Sequence, residues 1–309
     1  MNKAIIIGHK NPDTDSVVAS LVAEDYFKNI LKINAKAARA GELNNETKFV
    51  LKKFKVAAPP LKKYLKDEES LILVDHNEKD QAIDGLNMSK VEVVIDHHKI
   101  VFETEKPILF KAEPVGSTSS ILAKMYKEAG KKISKINAGL LLAGILSDTL
   151  NLTSPTTTDL DRKIVDELNK VARISLKIFA GDLFSAKSSL KGISLADITT
   201  KDYKLFVLGK HKLGIGVWET TNPDSIGSKK KEIIELLKKR KEKEGLDYML
   251  FFVVDIIKQY SELYVVGEKE KELVEKVFKA KTIGDTILLK SIVSRKKQIV
   301  PPLTEELTK

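Results

Sequence analysis

Three short apolar runs early in the chain end abruptly in acidic residues and histidine. Ala4-Ile5-Ile6-Ile7 runs into Gly8-His9-Lys10-Asn11-Pro12-Asp13-Thr14-Asp15-Ser16, Leu71-Ile72-Leu73-Val74 into Asp75-His76-Asn77-Glu78, and Val91-Glu92-Val93-Val94-Ile95 into Asp96-His97-His98. Such near-continuous apolar runs suit strands buried on both faces of a parallel sheet. Between them the period changes. Val17, Val18, Leu21, Val22 and Tyr26 recur at helical spacing and predict a helix over 16–31, with Asp15 or Ser16 as its N-cap. A weaker strand near 35–39 and a helix near 47–55 follow. Strands alternating with helices form parallel sheets, whose C-terminal strand ends lie on one edge, where open α/β sheets bind ligands. Locally, Asn11-Pro12-Asp13 reads equally well as a turn and cap.

Further along, a strand is predicted near 108–112, and Gly116-Ser117-Thr118-Ser119 opens a helix whose free N–H groups could cradle an anion. The segment from Ile133 to Ile145 is apolar almost all round and hence buried, and it ends in Leu146-Ser147-Asp148-Thr149. Thr158-x-x-Asp161 resembles a capping box with Asp in the Glu position, starting a helix toward Asn169. The small, polar stretch 186–192 marks a boundary. It divides a first domain, 1–187, from a second, 193–309, with 188–192 as linker. Strands near 205–209, 213–219, 250–257 and 262–266, with helices near 228–244 and 269–278, make the second part α/β with a mixed sheet. The expected fold is thus a parallel-sheet α/β domain followed by a smaller mixed-sheet α/β domain.

Composition narrows the chemistry. A chain of 309 residues with 42% hydrophobic and 31% charged residues fits a two-domain globular protein. It has no cysteine, so disulfides, thiolate zinc sites and cysteine nucleophiles are excluded, and any metal must sit on histidine and carboxylate. The net charge of +10 does not mark a nucleic-acid protein. The lysines of 228–244 alternate with glutamates around one apolar stripe, and 6% aromatics gives few stacking platforms. Met1-Asn2-Lys3 leads into an apolar run of four residues, too short for a signal core or a membrane span, so a cytoplasmic location without membrane contact is expected.

Four of the five histidines, His9, His76, His97 and His98, fall in the three strand-end clusters, together with Asp13, Asp15, Asp75 and Asp96. Several carboxylates on one edge repel unless cations neutralise them. In a workable assignment His9 and Asp13 hold one divalent ion, Asp15, His97 and Asp148 hold another, and Asp75 bridges both. Two imidazoles and four carboxylates suit Mn²⁺, with Co²⁺ as a substitute. A hydroxide bridging the two ions would be a strong nucleophile at neutral pH. His98 would face the substrate, and Asp96 could orient a metal-bound imidazole.

His9 to Ser16, Val74 to Glu78, Ile95 to His98 and Ser147-Asp148 resemble the successive motifs of the DHH phosphoesterase superfamily. Ser294-Arg295-Lys296-Lys297-Gln298 resembles the C-terminal signature of its family II, manganese-dependent inorganic pyrophosphatases. The resemblance spans residues 5 to about 302, in order. It implies the same ligand division as the count above, a substrate cleft between two domains, and hydrolysis of pyrophosphate to two orthophosphates by the bridging hydroxide. Mg²⁺ would accompany the substrate, and a homodimer would form through the first domain. His98, Arg295 and Lys296 would contact pyrophosphate and, with Asp75, form the catalytic set. A lysine from just after the domain boundary would join them, Lys191 or else Lys187. An ideal strand over 292–300 would point Arg295 and Lys296 to opposite faces, so the resemblance requires a bend there.

Three rivals stand beside this reading. An exopolyphosphatase shares the two-domain plan. A nuclease or phosphodiesterase of the same superfamily typically carries Gly-Gly-Gly-His, for which His211-Lys212-Leu213-Gly214 is a poor substitute. A non-enzymatic anion-binding regulator would show a missing ligand, and every ligand position is filled.

Overall fold

Strands β1 (Ala4–Ile7), β2 (Ala35–Ala38), β3 (Ser70–Val74), β4 (Val91–Asp96) and β5 (Leu109–Ala112) form an all-parallel sheet in the order β2-β1-β3-β4-β5. The computed structural model describes residues 4–65, 70–190, 192–200 and 202–309, without the side chains of Lys296 and Lys297. The chain divides into two units, Met1–Ala186 and Lys187–Lys309.

The first sheet shows why its strands read as continuous apolar runs. Successive side chains point to opposite faces. Ala4, Ile6, Ile72, Val74, Val93 and Ile95 enter one core, while Ile5, Ile7, Leu71, Leu73, Val91 and Val94 enter another. The first core is closed by helices α1 (Thr14–Asp25), α3 (Thr118–Glu128), α4 (Lys135–Asp148) and α5 (Asp159–Ala172). Helix α2 (Asn45–Phe54) lies between β2 and β3 in the chain, and α6 (Leu176–Lys187) follows α5. Helix α4 is buried continuously from Ala138 to Ser147, as its apolar sequence requires.

Two local details differ from the sequence reading. Helix α1 begins at Thr14 and is capped by Asp13, not by Asp15 or Ser16, and after Asp25 it widens into a π-helical turn over Tyr26–Ile30. Helix α6 carries no signal that the hydrophobic pattern had picked out.

In the second unit, β6 (Tyr203–Leu208), β7 (His211–Thr220), β8 (Tyr248–Asp255), β9 (Tyr260–Val265) and β10 (Thr286–Lys290) form a mixed sheet in the order β10-β9-β8-β7-β6. Only β7 and β8 run parallel. Its helices are α7 (Leu195–Thr200), α8 (Asp224–Gly227), α9 (Lys230–Glu244), α10 (Glu268–Phe278) and α11 (Val300–Leu307). Residues 292–300 are not a strand. Arg295–Ile299 is a single π-helical turn that feeds α11, which supplies the bend expected there. Among the described residues, no helix is long and apolar enough to cross a membrane.

Candidate metal centre

The centre is built where β1, β3 and β4 end. Asp75, the first residue beyond β3, has φ of +62°, a left-handed conformation that aspartate tolerates better than most side chains. Its N–H donates to the Ile95 carbonyl at 3.0 Å, which pins the turn beside the end of β4. The carboxylate is thereby brought between two imidazoles. His9 Nε2 lies 3.5 Å from Asp75 Oδ2, and His97 Nε2 lies 3.5 Å from Asp75 Oδ1.

On one side His9 Nε2 also faces Asp13 Oδ2 at 3.6 Å. The other oxygen of Asp13 accepts the Ser16 N–H at 2.9 Å. One oxygen of Asp13 thus serves as the cap of α1, while the other is directed at His9. On the other side His97 Nε2 faces Asp148 Oδ2, at the end of α4, at 3.4 Å. Asp15 completes this half. Thr118 N–H donates to its Oδ2 at 2.7 Å, while Ser119 N–H (3.1 Å) and Ser119 Oγ donate to its Oδ1. Thr118 Oγ1 donates to Asp75 Oδ1 at 2.9 Å. The free donors of the helix start at 116–119 are thus taken up by a carboxylate of the chain's own, Asp15.

Three donor groups meet at Asp75: the sets His9-Asp13-Asp75 and Asp15-Asp75-His97-Asp148, and a smaller group, Asp75-His97-His98, whose third member is exposed. His97 Nδ1 lies 3.0 Å from the Val115 carbonyl, so this nitrogen carries the proton in a neutral ring and the Nε2 lone pair points into the cluster. His97 Nε2 and Asp75 Oδ2 are buried with no hydrogen-bond partner. Gaps of 3.4–3.6 Å are long for N–H···O bonds. They match donors sharing an ion at about 2.0–2.2 Å, which sit roughly 3.0–3.5 Å apart by triangle geometry.

The charges tell the same story. Burial pulls the His97 imidazole down, but Asp148 and Asp75 override it and raise its pKa to about 12. His9 is likewise opposed by burial and raised to about 10 by Asp13 and Asp75. Burial and the neighbouring Asp13 push Asp148 up to about 7, and burial with the charges of Asp75 and Asp148 pushes Asp15 well up. Asp75, despite its burial, is held below the usual carboxylate range by the two histidines. Without a cation, the cluster retains protons in place of one.

His98 and Asp96 form a separate pair. The buried Asp96 has Oδ1 2.8 Å from His98 Nδ1, and it accepts the N–H groups of His97 and His98 and the Asn77 amide. Asp96 therefore orients the half-exposed His98. It does not orient the imidazole of His97, because the Val115 carbonyl takes that place.

Residues 3–145 match the model of the DHH family N-terminal domain, and residues 181–306 match the DHHA2 domain. The manganese-dependent inorganic pyrophosphatase of Methanocaldococcus jannaschii is 42% identical over 96% of this chain and 97% of its own. A Bacillus licheniformis protein named "Probable manganese-dependent inorganic pyrophosphatase" is also 42% identical, over 99% of both chains. This chain belongs to the manganese-dependent inorganic pyrophosphatase family. A solved Methanococcus jannaschii structure, named for family II inorganic pyrophosphatase, superposes with a TM-score of 0.66 at 39% identity, covering 99% of this chain and 100% of that one.

The second unit of this family member carries the remaining basic residues. Arg295 is mostly buried, and its guanidinium donates to the Asp202 carbonyl at 2.8 Å and to Asp202 Oδ1 at 2.6 Å. It lines a pocket of ≈ 530 Å³ together with Lys204, Glu219 and Ser294. Lys191 and the side chain of Lys296 lie outside the described residues. Lys187 is the last residue of α6. Lys204 was not singled out from the sequence, where it is one lysine among many. Its only signal is its place on β6, two residues after Asp202, and that pairing required the fold.

Proposed function

We propose that this protein hydrolyses pyrophosphate to two orthophosphates, using two Mn²⁺ ions held by His9-Asp13-Asp75 and by Asp15-Asp75-His97-Asp148. The observation that carries this reading is Asp75, a buried carboxylate common to two donor sets, with one oxygen that no hydrogen bond reaches. Lone-pair counting supports the division. A carboxylate offers about four acceptor positions. Asp15 uses three on Thr118 and Ser119, leaving one on Oδ2 for a single ion. Asp75 uses one, on Thr118, leaving enough for two ions.

When bound, such ions neutralise the carboxylates, make water nucleophilic near neutral pH and polarise phosphoryl oxygens. The chain's own groups do the rest. His97 is held by Val115 so that it presents Nε2 and cannot swing away. His98, oriented by Asp96, which raises its pKa, donates to a phosphoryl oxygen. Arg295 and Lys296 bind the substrate's negative charge and stabilise the departing phosphate. Lys204, which lines the same pocket as Arg295, joins Lys191 or Lys187 as a candidate for the further cationic contact.

Co²⁺ would substitute for Mn²⁺, and Mg²⁺ would enter with the substrate. The functional division is 1–187 for metal binding and 193–309 for substrate binding, joined by 188–192, in a cytoplasmic homodimer formed through the first domain. Phosphate release from pyrophosphate, tripolyphosphate and a short oligonucleotide, compared in Mn²⁺ and Mg²⁺, tests the reading. Dominant pyrophosphate cleavage with Mn²⁺ is expected. Preference for either other substrate would overturn it.

A further inference from the structure

Asp161 is a fully buried carboxylate on the first turn of α5 that belongs to neither donor set. A capping box accounts for part of its surroundings. Its Oδ2 accepts the Thr158 N–H and the Thr158 hydroxyl, each at 2.7 Å. Two further bonds have nothing to do with capping α5. Gly116 N–H donates to Oδ2 at 2.9 Å, and Ser120 Oγ donates to Oδ1 at 2.6 Å. These partners lie more than forty positions away in the chain, at the two ends of one five-residue segment.

What lies within that segment and at its edge gives the contacts their meaning. Thr118 and Ser119 supply all three donors to Asp15 and the hydroxyl donor to Asp75, and Val115, one residue ahead, fixes the His97 ring through its carbonyl. One short stretch therefore sets the position of three of the four members of the Asp15-Asp75-His97-Asp148 set. Asp161 clamps it at both ends. The approach is close: a Cβ at residue 116 would stand 2.9 Å from Asp161 Oδ2, so only glycine lets the amide reach the carboxylate. A capping box alone imposes no such demand on a residue of another element.

We infer that Asp161 is a positioning residue for the metal centre, acting through the 116–120 segment on the ion held by Asp15, Asp75, His97 and Asp148. The inference rests on the proposed metal reading and deepens it by naming which of the two ions depends on a buried carboxylate outside the site. The His9-Asp13-Asp75 set shares only Asp75 with the clamped segment, so its ion should be much less affected.

Mn²⁺ titration of the metal-stripped, full-length protein, followed by calorimetry and by the EPR signal of free Mn²⁺, tests this without relying on turnover. Outer partners of metal ligands are typically worth about 10–100-fold in affinity. In D161N the amide group cannot accept the bonds that Oδ2 now accepts, and one of two binding steps should weaken by that factor while the other stays near wild type. T158A is the control, because it removes the two cap bonds made by the Thr158 hydroxyl and leaves the Thr158 N–H, Gly116 and Ser120 bonds to Asp161 in place. It should lower the melting temperature with both Mn²⁺ affinities retained. S120A, which cuts one end of the clamp, should weaken the same step as D161N by a smaller factor, and it decides the matter if D161N does not fold. Unchanged Mn²⁺ binding in D161N or S120A, or an equal loss in T158A, overturns the inference. Wild-type protein that binds no Mn²⁺ would overturn the metal reading itself, an outcome distinct from tight wild-type binding with D161N unchanged.

Discussion

Asp13 performs two tasks with two oxygens, and a single substitution can separate them. Oδ1 accepts the Ser16 N–H at 2.9 Å and caps α1, while Oδ2 faces His9 at 3.6 Å. Asp13→Asn keeps an oxygen for the cap and replaces the other by an NH₂ group, which cannot donate electrons to a metal. Asp13→Ala removes both. An N-cap of this kind contributes about 1 kcal/mol, which for a unit of this size shifts the melting temperature by roughly 2–4 °C. The ligand role is larger. Loss of one of three donors from the His9-Asp13-Asp75 set should cost at least about 100-fold in affinity for that ion, or about 2.8 kcal/mol.

The two variants therefore predict a pattern and not a single number. In chelator, both variants lose the charge that helps hold His9 protonated, and D13A, which also loses the cap, should melt about 2–4 °C below D13N. In Mn²⁺ titrations both should lose one binding step and keep the other. Differential scanning calorimetry in EDTA and Mn²⁺ titration of the stripped protein supply the two readouts. If D13N melts as low as D13A while retaining both Mn²⁺ steps, Asp13 is only a cap and the division of labour between its oxygens is wrong.

Four further outcomes follow from the geometry. His9 and His97, raised to about 10 and about 12, are protonated in the metal-free protein at neutral pH, so Mn²⁺ must displace both protons; its overall binding constant should rise by about two log units per pH unit between pH 7.5 and 9, and a flat profile would refute this. Because both folded-state values lie above the unfolded one, these histidines stabilise the metal-free fold below pH 6.5 and lose that effect as pH rises through 10 and 12, so thermal melts in EDTA should fall with alkalinity. Gly144→Ala places a methyl group against Ser119 Oγ, Asp15 Oδ1 and Val18, and should destabilise the first unit by about 1–3 kcal/mol and weaken Mn²⁺ binding, measured by chemical denaturation and titration. Asp202→Asn removes the carboxylate charge that now occupies Arg295 but keeps the backbone carbonyl contact, so KM for pyrophosphate should fall several-fold with Mn²⁺ affinity unchanged; a rise in KM would assign Asp202 to holding Arg295 in place.

The strands of the first sheet were legible because burial on both faces leaves an apolar run that ends where the sheet ends, as at Ile7, Val74 and Ile95. Their polar successors could be placed on one edge from strand direction alone. What could not be read was who satisfies them. The donors to Asp15 lie 103 and 104 positions away, and the oxygen that fixes His97 lies 18 away. Gly116-Ser117-Thr118-Ser119 announced an anion but not that the anion was internal. Asp96 beside His97 suggested a partner for that ring, yet the backbone turns so that Asp96 meets His98. The same limit explains Arg295. Its bend was expected, but its pairing with Asp202 and its neighbour Lys204 arise from a sheet order that no local pattern encodes.

The placement of helix ends explains how the fold tolerates these carboxylates in a form ready for cations. Helix N-termini carry partial positive charge and C-termini partial negative charge. Asp13 and Asp15 sit at the start of α1, and Asp15 also receives the first free N–H groups of α3, which offset only part of the burial and of the Asp75 and Asp148 charges that push it up. Asp148 is the last residue of α4, where the helix end adds negative potential to a carboxylate already burdened by burial and by Asp13. That position is unfavourable for an anion and favourable for a bound cation. This half therefore combines one carboxylate held in place by amides with one at a helix C-terminus, both of which a cation would favour in their charged form. With Asp148 raised to about 7, His97 to about 12 and Asp15 also pushed well up, this half competes with protons at three positions. The His9 half has a single strongly raised group, at about 10. Acidification should therefore release the ion of the Asp148 half first.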